Sequence, residues 1–150
     1  MSPETLFYAI HIPIFPAWAL LFLAPNWRGT QVIVHTALIP LVLGAFYTFL
    51  LARGIMGEST PGAGFNSLSA VMALFAHPVG ALNSWTHFLI FDLFVGAWIS
   101  RDALRHSVQT PVTWPFLFFA LMFAPLGLAL WLLFKGLTGR GWSLQETAPG

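Results

Sequence analysis

Long apolar runs that carry almost no charge restrict the fold of this chain more than any other feature of its sequence. Of its 150 residues, 57% are hydrophobic and only 7% are charged, whereas a soluble globular protein has about 25% charged residues. The mean hydropathy of +0.78 agrees with this difference. We therefore predict an integral membrane protein whose main partner is the lipid bilayer.

Four of the runs have the length of a membrane-spanning helix, roughly 20 residues. Because a spanning segment must satisfy its own backbone hydrogen bonds, these runs predict an all-α, polytopic membrane helix bundle in a single domain, residues 1–150. The predicted spans are about residues 6–24, 31–52, 82–100 and 112–134. The polar, glycine-rich segment 136–150 is expected to be a flexible tail.

The segment 66–80 is apolar but short for a span. Leu68, Val71, Met72 and Phe75 recur at helical spacing and mark one apolar face. We predict an interfacial or re-entrant helix here, with a fifth span as the alternative. The basic residues divide three against three between the two sides in both arrangements, so the positive-inside rule predicts no orientation. The sequence predicts no oligomeric state either.

Several classes of function are disfavoured by what the sequence lacks. It has no cysteine, which excludes disulfides and thiolate metal sites. It has no phosphate-binding loop, nucleophile elbow or carboxylate-rich cluster, so no metal site is predicted. A net charge of +1 without a basic run argues against nucleic-acid binding. The N-terminus MSPETLF lacks a signal-peptide pattern, which predicts insertion without cleavage into a bacterial inner membrane, with a mature organelle protein as the alternative.

Asp92 and His87 are the most informative residues because they lie inside the third predicted span. An aspartate at a helix centre costs roughly 2.5–3.5 kcal/mol on insertion scales, and such residues usually face partners or a functional site. The two residues are five positions apart, about 140° around a helix, so a direct hydrogen bond is not expected. The alternative for Asp92 is a protonated acid that joins two helices by hydrogen bonds.

Two helical stripes surround these residues. Trp85, Asp92 and Gly96 share one stripe, and Gly96 would allow another helix to approach. His87, Phe91 and Trp98 share the other. Trp18 and the Phe-rich faces of the third and fourth spans are predicted to line a groove for a long apolar ligand, with ordinary lipid contact and packing as the alternative. Trp85, Phe91 and Trp98 are the candidate ligand-binding aromatic residues.

Asp102 follows the third span in the sequence SRDALRHS. It is spaced to pair with Arg105 and His106 along a helix. We interpret it either as part of a solvated charge cluster or as a polar lid or headgroup contact, and we count Asp102 among the candidate ligand-binding residues.

His11, His35 and His87 raise a second possibility for a cofactor. Two histidines that face each other in a helix bundle can ligate the iron of haem b. Without a Cys-x-x-Cys-His motif, any haem would be bound non-covalently. No other cofactor is predicted.

The stretch NSWTHFLIFDLFVGAWISRDA, followed by FAPLGLALWL, resembles the abscisic-acid-deficient-four-like family of small polytopic membrane proteins. The resemblance covers most of the chain, and its specific part is residues 83–127. The matching motif positions are Trp85, His87, Leu89, Asp92, Leu93, Phe94, Asp102, Pro125 and Gly127.

This resemblance implies a carotenoid ligand, because plant members of the family are implicated in converting violaxanthin to neoxanthin. It implies an isomerisation that opens an epoxide, in which Asp92 would protonate the epoxide oxygen and His87 would remove a proton as the base. A different isoprenoid ligand, or a non-catalytic role in pigment binding or assembly, is the alternative.

Overall fold

The computed structural model describes residues 1–144 and 146, and every regular element in this part of the chain is a helix. The all-α prediction is therefore confirmed for the described residues. The helices are α1 (Pro3–Leu23), α2 (Arg28–Ile33), α3 (Leu38–Ile55), α4 (Leu68–Ala76), α5 (Pro78–Arg105), α6 (Thr110–Met122) and α7 (Ala124–Leu137).

Among the described residues, two stretches are long and apolar enough to cross a membrane. They are Pro3–Leu23, which is α1, and Arg28–Ile55, which contains α2 and α3. Helices α6 and α7 are apolar but shorter. The structure thus supports two of the four predicted spans by length and composition, and the number four is not confirmed.

The second predicted span is interrupted at residues 34–37, between α2 and α3. Proline lacks a backbone N–H, and its ring clashes with the carbonyl of the residue four positions earlier. Pro40 is therefore tolerated in the first turn of α3 but prevents one continuous helix through Thr36. The Thr36 hydroxyl donates to the Val32 carbonyl at 2.8 Å, which supports the bend.

The region 66–105 also differs from the prediction. Helix α4 covers only Leu68–Ala76 and begins at Ser67, whose hydroxyl accepts a hydrogen bond from the Ala70 N–H at 3.2 Å. His77 is extended because the residue before a proline avoids the helical conformation. Pro78 then starts α5, which continues to Arg105 and is about 42 Å long.

The fourth predicted span folds back on itself as a helical hairpin. Phe123 leaves the helical region, with φ −151° and ψ 81°, and separates α6 from α7. The Phe116 ring of α6 lies 5.3 Å from that of Trp131 and 5.1 Å from that of Phe134, both in α7. Each helix is about 20 Å long, which is shorter than the roughly 30 Å hydrocarbon core.

Pro125 and Gly127 explain the sharpness of this hairpin. Pro125 lies in the first turn of α7, where its missing N–H has no cost. A Cβ on Gly127 would lie 2.3 Å from the backbone nitrogen of Ala120, so only glycine permits this approach of the two helices.

The chain forms two compact units. Unit 1 comprises Met1–Pro13 and Ile39–Ile90, and unit 2 comprises Ile14–Leu38 and Phe91–Gly150. Helices α1 and α5 contribute residues to both. The largest fully buried apolar side chains of unit 2 include Leu21, Ile99, Leu117 and Trp131, and those of unit 1 include Leu50.

Candidate functional site

Unit 1 contains a cavity of about 450 Å³. Its walls come from the C-terminal half of α3, the loop that follows, α4 and the N-terminal half of α5. Most of the lining is apolar and includes Leu50, Ile55, Phe75 and Phe88. A largely apolar cavity with a few polar groups is the usual form of a small-molecule site.

One face of α5 contributes several polar groups to the wall of this cavity. Gly80, Asn83, Ser84 and His87 all line it, at positions i, i+3, i+4 and i+7 of the helix. Gly80 allows the preceding chain to pass close by, because a Cβ there would lie 2.1 Å from the Leu74 carbonyl oxygen. The stretch NSWTH, which contains the family-motif position His87, thus provides most of this polar face.

His87 faces this cavity together with Tyr47 of α3. The two ring centroids are 6.1 Å apart, and the His87 side chain is exposed. Histidine is the residue that most often serves as a general acid or base. The predicted base therefore lies in the wall of a cavity that is large enough for part of an apolar ligand.

Asn83 was not predicted as a site residue. Its Oδ1 atom is buried and has no hydrogen-bond partner in the described part of the chain. A buried polar atom without a partner costs about 1–3 kcal/mol, so each such atom needs an explanation. A bound ligand or water that reaches the Asn83 amide would remove this cost.

Glu58 lies at the same cavity, on the loop after α3. Arg53 binds its carboxylate with two hydrogen bonds, one from Nε to Oε1 at 2.8 Å and one from Nη2 to Oε2. The hydrogen bond from Arg53 is the main reason that the pKa of Glu58 lies below its ordinary value. The cavity therefore has an acidic group that stays ionised at neutral pH.

Asp92, the predicted acid, belongs to unit 2 and is half-buried. It makes no hydrogen bond or ion pair with another described residue. Within residues 1–144 and 146, no hydrogen bond of Asp92 therefore joins two helices, which was its alternative role. Gly96, one turn further along α5, packs against the Trp18 ring, which would lie 2.4 Å from a Cβ at that position.

The remaining aromatic residues of the predicted site lie in different surroundings. Trp85 in unit 1 donates from Nε1 to His11 Nε2 at 3.2 Å, and its side chain is partly exposed. Phe91 is exposed on α5, whereas Trp98 is buried beneath the Lys135 ammonium group, 5.5 Å from its ring centroid. Trp98 therefore packs inside unit 2.

Asp102 is the centre of a buried cluster in unit 2, which we call the Asp102 cluster: Asp102, Arg105, His106, Trp131 and Lys135. Oδ2 of Asp102 accepts from Trp131 Nε1 and lies 2.8 Å from both this atom and Lys135 Nζ. Oδ1 accepts from Arg105 Nη2 at 3.1 Å and lies 3.7 Å from His106 Nε2. The predicted pairing of Asp102 with Arg105 and His106 is confirmed.

The same cluster corrects the interpretation of Asp102 as a solvated charge. Asp102 has 0% and Lys135 1% of its surface exposed, so both charges are removed from water. Burial of two charges is tolerated only when geometry and further hydrogen bonds compensate. Lys135 also donates to the Ser143 carbonyl at 2.9 Å, which fulfils this condition and holds the described part of the tail against α7.

The histidines considered for haem each have protein contacts. His11 Nδ1 donates to the Phe7 carbonyl at 2.6 Å, which leaves Nε2 to accept from Trp85. Both ring nitrogens of His11 are thus engaged, and ligation of iron by His11 would break one of these bonds. His35, in unit 2, has Nδ1 3.4 Å from Arg101 Nη1. Haem binding stays an untested prediction.

These features define a small all-α protein with two long apolar helical stretches, a cavity beside His87 in unit 1 and a buried ion cluster around Asp102 in unit 2. The chain belongs to the ABA DEFICIENT 4-like family, whose family model matches residues 5–131. The resemblance predicted from the motif is therefore confirmed.

A relative in this family is the protein ABA DEFICIENT 4, chloroplastic, of Arabidopsis thaliana. It is 24% identical over 121 residues, which cover 77% of this chain and 53% of the relative. The chain thus spans about half the length of the curated relative that it matches. No solved structure matches the chain significantly.

The relative also corrects the predicted location. Its name describes it as chloroplastic, which points to a plastid. The expected bacterial inner membrane is therefore wrong. The error arose because the absence of an N-terminal signal pattern does not distinguish between these membranes.

Proposed function

We propose that this chain is a plastid membrane protein that binds a carotenoid, or a related isoprenoid, in the cavity of unit 1. The observation that carries the proposal is the position of the family-motif residue His87 in the wall of an apolar cavity of about 450 Å³. Membership of the ABA DEFICIENT 4-like family supports a carotenoid as the ligand.

The exterior of the chain supports its placement in a bilayer. Tyr8, Ile12 and Phe15 recur on one face of α1, and each exposes more than 60% of its surface. Exposed apolar faces of this size fit lipid better than water. A ligand that dissolves in the bilayer could then enter the cavity without passing through water.

The cavity is suited to one end of a carotenoid. Such a molecule is a long polyene with a ring at each end, so the cavity would hold a ring while the polyene extends beyond it. Leu50, Phe75 and Phe88 would contact the ring, and Asn83 would provide a hydrogen bond to an oxygen substituent. Hydrophobic contact contributes about 25 cal/mol for each Å² of apolar area buried.

The proposed reaction is an isomerisation that opens an epoxide on the ring. His87 would remove a proton from the ligand as the epoxide C–O bond breaks, and an acid would return a proton to the oxygen, so the product has the composition of the substrate. The family resemblance implies Asp92 as this acid, although Asp92 belongs to unit 2 and does not line the cavity of unit 1. A pigment-binding or assembly protein without turnover is the second candidate, since the cavity alone supports binding.

Two glycines of α3 provide a matched test of binding. Gly54 lines the cavity and Gly44 does not, and a Cβ on either meets no atom within 4 Å. We expect Gly54→Leu to reduce binding of a xanthophyll at least tenfold and Gly44→Leu to leave binding unchanged. Binding is measured by the shift of the pigment absorption spectrum on addition of the detergent-purified protein. Equal binding by both variants would exclude this cavity as the site.

Chromatography of the pigment after incubation separates the two candidates. We expect His87→Gln and Asp92→Asn each to bind pigment as the wild type does but to lose its conversion. Full conversion by Asp92→Asn would remove Asp92 from the reaction. Binding without conversion by the wild type would favour the pigment-binding protein.

A further inference from the structure

The C-terminal part of α5 presents two arginines that share one carboxylate. Arg101 donates from Nη2 to Glu146 Oε1 at 2.8 Å and from Nε to the same atom at 3.2 Å. Arg105 Nη1 lies 3.8 Å from Glu146 Oε2. Arg101 and Arg105 are four residues apart, so both guanidinium groups lie on one face of the helix.

Charge is unbalanced around this pair. The Asp102 cluster together with Arg101 and Glu146 contains three arginine or lysine side chains, Arg101, Arg105 and Lys135, and two carboxylates, Asp102 and Glu146. Asp102 is fully buried and already contacts Lys135 at 2.8 Å. Without Glu146, two positive charges would remain uncompensated.

The exposure of the three side chains shows that the Glu146 carboxylate is the group that another anion can replace. The side chains of Arg101 and Arg105 are 23% and 20% exposed, whereas that of Glu146 is 47% exposed. The arginines are therefore set in the wall of unit 2, and the carboxylate covers them from outside. Two guanidinium groups that converge on one group of oxygens form the geometry that proteins use to bind phosphate.

We propose that Arg101 and Arg105 form a binding site for a phosphate group, and that Glu146 occupies this site as an internal anion. A phospholipid headgroup and a free phosphate share this chemistry. Either would have to displace the Glu146 carboxylate, so binding of the external anion and docking of Glu146 exclude each other. The site is in unit 2 and shares no residue with the lining of the pigment cavity.

The substitution Glu146→Gln provides the central test because glutamine keeps the shape of glutamate and removes its charge. We expect Glu146→Gln to bind dihexanoyl phosphatidic acid about tenfold more tightly than the wild type does, measured by calorimetric titration of the full chain in a neutral detergent. Glu58→Gln is the matched control, since Glu58 pairs with Arg53 at a different place. It should leave this affinity unchanged.

Arg101→Gln in the Glu146→Gln background should lose the gained affinity, and Arg101→Lys should retain part of it. Circular dichroism of each variant verifies that the helices are intact. Dihexanoylglycerol has the same acyl chains and no phosphate. Its affinity for the protein should change neither with Glu146→Gln nor with the substitutions at Arg101. Inorganic phosphate that binds as tightly as the lipid would identify a free anion as the ligand, and weaker binding would identify a lipid.

Three results would overturn the proposal. The first is equal affinity of Glu146→Gln and the wild type for both phosphate probes. The second is a gain that persists after Arg101→Gln. The third is the same gain for dihexanoylglycerol, which would mean that acyl chains rather than phosphate determine the binding.

Discussion

The two units of this chain place their polar residues in opposite surroundings. Unit 1 places Asn83, His87 and Glu58 around a cavity, where each can meet a ligand. Unit 2 buries Asp102 and Lys135 against each other and leaves them no free space. One helix, α5, carries the motif residues of both arrangements, so the family motif combines two kinds of residue.

This difference separates roles that the motif alone does not distinguish. His87 lines a space that a ligand can enter. Asp102, Pro125 and Gly127 instead build and hold the α6–α7 hairpin, since Trp131 and Lys135 of α7 reach Asp102 only if the chain turns back at Phe123. Substitutions in the two regions should therefore affect different properties.

The largest expected effect is on the Asp102 cluster. Lys135→Met leaves the buried Asp102 carboxylate without its closest cation, and loss of one partner of a buried pair costs about 3–5 kcal/mol. The free energy of unfolding in detergent, measured by circular dichroism, should fall by this amount. The double variant Asp102→Asn/Lys135→Met should recover part of the loss, because no charge is then left buried alone.

Pigment binding by the Lys135→Met variant tests whether the two units have separate roles. A Lys135→Met protein that remains folded at low temperature should bind pigment as the wild type does, because Lys135 does not line the cavity of unit 1. A parallel loss of stability and of pigment affinity under those conditions would show that the two units do not have separate roles.

A smaller effect is expected at Gly127. Alanine at this position places a Cβ 2.3 Å from the Ala120 backbone, and the rigid backbone must shift. Overpacking of this kind costs about 1–3 kcal/mol. Gly44→Ala is the control in unit 1: its Cβ meets no atom within 4 Å, and the change should stabilise α3 by about 0.5–1 kcal/mol. Thermal unfolding of both variants measures the difference, and shifts of the same sign would contradict the tight hairpin.

The sequence predicts the helical class and the first helix well, because length and apolarity suffice for them. It predicts one span at residues 112–134, since a single helix and two helices folded against each other have the same composition. Pro125 in the middle of that run is the local signal for the break. Pro40 is the equivalent signal in the second span, and both breaks follow from the clash between a proline ring and the preceding turn.

The candidate site is predicted only in part. His87 and Asp92 stand out because a polar residue in an apolar run is costly. Lys135 lies at the end of an apolar run, so the sequence alone suggests a charge in a loop. It is four residues from Trp131, which places both side chains on one face of α7. Tyr47 and Glu58 reach the cavity through tertiary packing, and no local pattern identifies them.

The smallest expected effects concern one exposed arginine–glutamate pair in each unit, Arg53–Glu58 in unit 1 and Arg101–Glu146 in unit 2. In both pairs, the pKa of the glutamate lies below its ordinary value of 4.5, mainly because the arginine donates a hydrogen bond to the carboxylate. A lowered pKa in the folded state means that each pair stabilises the folded chain at pH values above 4.5. This stabilisation is lost as the pH falls through the lowered pKa.

The difference in melting temperature between the wild type and each glutamine variant, recorded from about pH 7 to about pH 3, measures these contributions. Both differences should be small at neutral pH, because exposed ion pairs contribute less than about 1 kcal/mol, and both should disappear at the acidic end. Glu146 faces two arginines and Glu58 faces one, so Glu146→Gln should show the larger difference. A larger or pH-independent difference for Glu58→Gln would mean that Arg105 adds nothing to the binding of Glu146, and that the two units hold their exposed carboxylates alike.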